Sequence, residues 1–246
     1  MALGRSSNPV FNQDRFRNIA NSATSDGVMT VNGTITKTLI LFVILIAAGA
    51  FVWGKVTPEN LLTFVIGGAI GGLIFALATI FKPAWAPITA ALYAVFEGMF
   101  VGAISKMYAS FYDGIVMQAV GLTMSILLVM LVLYRTGVLR ATPKFRRGVI
   151  IATAGIFFFY ILNWIFSMFG GGVSLANFVL LGIGIQLVIV GVASLNLILD
   201  FDNIERGAEQ GLPKIMEWYS GFGIMVTLVW LYLELLRLIA LISGRN

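Results

Sequence analysis

The sequence predicts an all-α integral membrane protein, a seven-transmembrane-helix bundle with its N-terminus in the cytoplasm. Three observations carry that expectation. Of the 246 residues, 59% are hydrophobic and only 11% charged, whereas ordinary soluble domains carry about 25% charged residues. The apolar residues are tiled into runs long enough to cross a bilayer, which takes ~20 residues per helix. Lys and Arg are spread unevenly over the segments between those runs, and such a bias orients multi-pass proteins.

Residues 1–36 are polar, rich in Asn, Ser, Thr and Gly, and contain Arg5, Arg15 and Arg17. They lack the apolar stretch of a cleaved signal peptide. They read as a cytoplasmic tail with a short amphipathic piece around Phe11–Ile19, and residues 37–246 as the transmembrane domain. The apolar runs fall at 38–54, 61–81, 86–106, 114–134, 148–169, 175–199 and 220–242. Only four residues, 82–85, separate the second run from the third, which predicts a tight helical hairpin. Pro83 and Pro87 there suit a helix start. With the N-terminus inside, twelve Lys and Arg fall on the cytoplasmic side and three, Lys55, Lys106 and Arg245, on the other. Arg237 is left within the last run. A six-span arrangement with a re-entrant last run satisfies the charge bias almost as well.

Gly67 and Gly71, Gly68 and Gly72, and Gly98 and Gly102 are spaced four apart. That spacing lets helix backbones approach closely, so these glycines are expected to pack helices within the bundle, with a dimer face as the alternative.

The chain has neither cysteine nor histidine. Disulfides, thiolate metal sites and thiol nucleophiles are excluded, and so is the usual near-neutral proton switch. Proton chemistry falls to carboxylates, Lys or Tyr. The net charge of +5 is read as basic loops facing anionic headgroups. No interleaving of basic and aromatic residues supports nucleic-acid binding. An enzyme is not expected: a Gly-x-Gly-Asp motif of intramembrane aspartyl proteases is absent. No cofactor is expected beyond a calcium ion.

Ionisable residues inside a membrane are costly and usually functional. Glu97 falls in the middle of the third run and Glu234 well inside the seventh, while Asp200 and Asp202 close the sixth. Gln186, Ala193, Asn196 and Asp200 share one helical face, and Gly223, Thr227, Trp230, Glu234 and Arg237 another. Structural roles compete with each: Asp200 as a helix cap, Glu234 as the partner of Arg237, Glu97 as a hydrogen-bonded interhelical group, and Asn196 as interhelical glue. Asp202, Glu205 and Glu209 read as loop charges. The functional reading joins Asp200 and Glu234. Two carboxyls forced together in low dielectric cannot easily both ionise; they titrate as a unit and, once ionised, offer oxygen ligands suited to calcium.

The segments Leu197-Ile-Leu-Asp-Phe-Asp-Asn-Ile204 and Leu231-Tyr-Leu-Glu-Leu-Leu-Arg-Leu238 resemble the last two helices of the transmembrane Bax-inhibitor-motif family. The start at 29–38, Glu97-Gly98 with Gly102, and Lys144-Phe-Arg-Arg-Gly148 are similar to its bacterial Bax-inhibitor-1-like/YccA branch. The resemblance implies a bacterial inner-membrane protein that leaks calcium and is gated by pH, with Asp200 and Glu234 as the two sensing acids and calcium ligands. Glu234 stands where the family has Asp. The resemblance also puts Glu97 at the pore; Asn196, Arg237 and Asp202 are the further candidates for the ion path. A second role it implies is modulation of a membrane-bound protease of the FtsH type, with the polar tail as the contact. The expected partners are therefore the lipid bilayer, calcium, protons and such a protease.

Overall fold

The computed structural model describes residues 27–169 and 179–244. Among the described residues seven helices are long and apolar enough to cross a membrane: α1 (Val31–Trp53), α2 (Leu61–Phe81), α3 (Ala86–Ala109), α4 (Ile115–Arg135), α5 (Pro143–Met168), α6 (Val179–Glu209) and α7 (Met216–Ser243). No strand occurs among the described residues; Val28 and Pro213 form an isolated bridge. The last run is one continuous helix and not a re-entrant piece. The amphipathic segment expected around Phe11–Ile19 lies outside the described residues.

The apolar runs locate every helix, yet three helices extend beyond them into polar sequence. α1 begins at Val31, so residues 31–36 of the polar segment form its first turns. Thr30 caps it by accepting from the Gly33 amide at 2.9 Å, and Thr34 and Thr38 donate back to carbonyls one turn earlier. α5 begins at Pro143 behind the cap Thr142, a start that suits proline because its missing N–H has no helical partner. α6 runs ten residues beyond the expected 199. Asp202, Glu205 and Glu209 are therefore helical and not loop charges. The helix then yields to Gly211 at φ +63, a left-handed conformation that glycine adopts without a Cβ penalty.

α7 is the centre of the bundle. More than half of its apolar window is buried, whereas α2 and α5 lie mostly exposed at the periphery. α7 packs on α1, α3, α4 and α6, with α2 set outside α3 and α5 outside α6. One core groups Val190, Ala193 and Leu197 of α6 with Leu228, Leu231 and Leu235 of α7. A second joins α1, α3 and α7 around Leu41, Ala90 and Met225.

Of the glycines expected to bring backbones together, Gly68, Gly98 and Gly102 do so. A Cβ on Gly98 would sit 2.3 Å from the Leu45 carbonyl oxygen, and one on Gly102 2.6 Å from that of Gly49, so α1 and α3 meet backbone to backbone. Gly68 meets the α3 backbone at Phe96 and Phe100, Gly71 and Gly72 make room for the side chains of Phe96 and Glu97, and Gly67 faces open space.

Residues 27–30 are strapped along the α6–α7 connection. The Met29 amide donates to the Leu212 carbonyl and the Lys214 amide to the Gly27 carbonyl. The Thr30 amide and hydroxyl both donate to Glu217 Oε1 at 3.1 and 3.0 Å. Thr30→Val removes the cap and one of these bonds together, and is expected to cost about 1–2 kcal/mol. An unfolding titration in mixed micelles checks this: the midpoint falls for Thr30→Val and stays put for Thr36→Val, whose hydroxyl serves only an exposed intrahelical bond.

Candidate functional site

The polar stripes expected on α6 and α7 face each other. Glu234, 3% exposed, is held by donors from three helices. Tyr160 of α5 donates to it, with its hydroxyl 3.0 and 3.1 Å from the two carboxyl oxygens. Gln186 of α6 donates to Oε2 and, at 3.1 Å, to the Glu234 backbone carbonyl. On α7 itself Trp230 Nε1 donates to Oε1 at 3.1 Å. The Arg237 guanidinium donates to Oε2 at 2.9 Å, to the Tyr160 hydroxyl at 2.7 Å, and lies over the Tyr160 ring. Spacing explains the two α7 partners, since residues three and four apart meet on a helix surface. This donor set suits an ionised carboxylate, because a buried charge is tolerated when it is paired and hydrogen-bonded. Gln186 Oε1 is buried and has no partner among the described residues.

Asp200 lies elsewhere. Its Oδ2 accepts from the Thr227 hydroxyl at 2.6 Å. Thr227 and Glu234 are two turns apart on α7, ~10 Å along the axis, and no hydrogen bond joins Asp200 to Glu234. The directly paired carboxylates expected from the sequence are thus replaced by two acid sites at different depths. Calcium takes 6–8 oxygens at about 2.3–2.6 Å, so the two acids do not ligate one ion in this conformation. Val190, Ala193, Leu197, Leu228 and Leu231 fill the interval, each less than a tenth exposed.

The other expected site residues go to different places. Asp202 does not stand in for Asp200: two residues on a helix differ by ~200°, so it points away. It pairs with Arg146 of α5 at 2.7 Å and Arg206 at 2.8 Å, while Glu205 accepts from the Tyr134 hydroxyl. These contacts tie α4, α5 and α6 at the end of the bundle that carries the basic loops. Asn196 donates to Thr153 of α5 at 2.9 Å and acts as interhelical glue. Glu97 does not face the α6–α7 interface. It lies between α2 and α3, beside Gly72 and Tyr93. Arg237, as one of the two α7 spacings suggested, pairs with Glu234.

Tyr160 was not legible as a site residue. It is one tyrosine within Phe157-Phe-Phe-Tyr160 on a helix with a single buried residue, and neither periodicity nor charge singles it out. Only its position opposite Glu234 and Arg237 gives it a role.

A seven-helix bundle with one buried and one half-buried acid along one helix–helix interface defines a polytopic membrane protein whose polar chemistry is interior. The chain belongs to the Bax inhibitor 1 like family, whose profile matches residues 8–244. The comparisons with curated proteins and with solved structures found no match.

Proposed function

We propose that the protein is a slow, pH-regulated cation leak channel with calcium as the permeant ion, and that the path follows the α6–α7 interface between Asp200 and Glu234. The observation that carries this reading is the pair of interior carboxylates held at two depths with an apolar stretch between them. Ionisable groups in a membrane interior mark ion paths more often than they serve structure, and a dry apolar constriction stops flow until it is wetted. Protonation of Asp200 takes the charge off one side of the constriction and leaves it dry, while Glu234 stays paired with Arg237. Deprotonation places a negative charge on either side of it, which draws in water and cations. Arg237 competes with the ion for Glu234 and keeps flux low. The protein acts by this route without catalysis and with no cofactor beyond the permeant ion. The bias of Lys and Arg supports a cytoplasmic N-terminus, and the bacterial character of the resemblance an inner-membrane location.

Calcium entry into liposomes holding the purified protein tests the reading. The rate is expected to rise severalfold from mildly acidic to mildly alkaline pH in the parent, and to lose that dependence in Asp200→Asn and Glu234→Gln. Flux no higher than in empty liposomes at every pH removes the proposal.

A second reading, modulation of a membrane-bound protease of the FtsH type, draws support from the strap at residues 27–30. A partner holding the preceding tail pulls directly on the α6–α7 connection. Deleting residues 1–26 is expected to abolish protease binding and leave calcium flux intact; protease binding that survives the deletion removes this reading.

A further inference from the structure

Away from the acids, α1 and α4 stand apart and leave a groove of about 450 Å³ that opens to the side of the bundle. Ile46 and Ala50 of α1 and Val120 and Met124 of α4 form its walls, and α3 and α7 its floor. We propose that this groove binds one acyl chain of an anionic phospholipid, with the headgroup held at Lys106. The proposal does not rest on the ion-leak reading.

Depth supports a lipid tail. The α1 side of the groove runs from Phe42 to Trp53, ~16 Å at 1.5 Å per residue. One leaflet of a bilayer has ~15 Å of hydrocarbon, half of the ~30 Å core. A chain entering at the Trp53 end therefore reaches the floor of its own leaflet and no further. The lining is suited to hydrocarbon because its polar groups are already satisfied. Ser105 and Tyr232 hydrogen-bond each other at 2.6 Å, and the Thr123 hydroxyl donates to the Ala119 carbonyl. Nothing on the floor asks for a polar ligand.

Charge at the mouth selects the headgroup. Trp53 ends α1, at the depth where tryptophan favours the interface. The Lys106 ammonium lies 5.0 Å from the centre of its ring and makes no ion pair among the described residues. A phosphate with net negative charge fits beside it, whereas a zwitterionic headgroup brings its own cation to the same place.

Native mass spectrometry of the delipidated protein, titrated with phosphatidylglycerol or phosphatidylcholine of identical tails, tests the site. The parent is expected to retain one phosphatidylglycerol at severalfold higher occupancy than phosphatidylcholine. Lys106→Gln is expected to erase that preference. Ala50→Phe, which fills the groove, is expected to lower occupancy by both lipids, while Leu62→Phe on the exposed face of α2 changes neither. Lipid-free melting of Ala50→Phe at the parental midpoint shows that the groove was filled without unfolding the protein; if that midpoint falls, Val120→Phe fills the opposite wall instead. Equal occupancy of the two lipids in the parent, a preference that survives Lys106→Gln, or full occupancy in a folded groove-filled variant overturns the proposal.

Discussion

Replacing Arg237 by Met is expected to destabilise the protein by about 3 kcal/mol, at the lower end for a broken buried ion pair. Glu234 is 3% exposed and, among the described residues, takes its charged contact from Arg237 alone. Without the guanidinium, the carboxylate keeps Tyr160, Trp230 and Gln186 as donors but has no countercharge. The Arg237 side chain is 42% exposed, which holds the loss below that of a fully enclosed pair. Methionine retains most of the aliphatic stem, so the change isolates the charge. Glu234→Gln in the same chain is expected to recover most of the loss, because no unpaired charge then remains. Unfolding of the four proteins of this cycle in mixed micelles measures the coupling. If the losses of the two single variants add up to the loss of the double variant, the pair contributes nothing.

Gly102→Val is expected to cost 3 kcal/mol or more, at or beyond the upper end of overpacking effects, which are typically about 1–3 kcal/mol. The new Cβ would lie 2.6 Å from the Gly49 oxygen and 2.8 Å from the Gly49 Cα. Both are backbone atoms and cannot rotate aside, so α1 and α3 must separate along their contact. Gly67→Val carries the same change in helix propensity into open space and is expected to lie near the parent. The difference between the two in the same unfolding assay separates packing from propensity, and equal losses contradict the close α1–α3 contact.

Much of the bundle was legible because the bilayer imposes a length on each apolar run. The runs found all seven helices, and the four-residue glycine spacing marked faces of α2 and α3 that pack closely on a neighbour. Helix ends were less legible where polar residues are satisfied by partners distant in sequence. The last turns of α6 read as a charged loop because Arg146, more than fifty residues away, neutralises Asp202 only in the folded chain. The α7 side of the acid site was readable from the spacing of Trp230, Glu234 and Arg237. The α5 side was not, since Tyr160 looks like packing until α5 is laid against α7. The direct Asp200–Glu234 contact failed for a related reason. Helical spacing places each acid on the right face, but it does not fix the relative height of two helices, and here Asp200 meets Thr227.

An apolar constriction between two acid sites that wets when Asp200 loses its proton is open to a direct measurement because the chain has no native cysteine. Ala193→Cys places one thiol in the buried stretch between Asp200 and Glu234, and Ser110→Cys places one at an exposed turn as the reference for intrinsic reactivity. Labelling of the reconstituted protein by a membrane-impermeant thiol reagent is compared at mildly acidic and mildly alkaline pH. Labelling at 193, relative to 110, is expected to rise with pH, and Glu234→Gln to suppress the rise. A thiol at 193 that stays unlabelled at every pH while calcium flux proceeds places the ion path elsewhere than the α6–α7 interface.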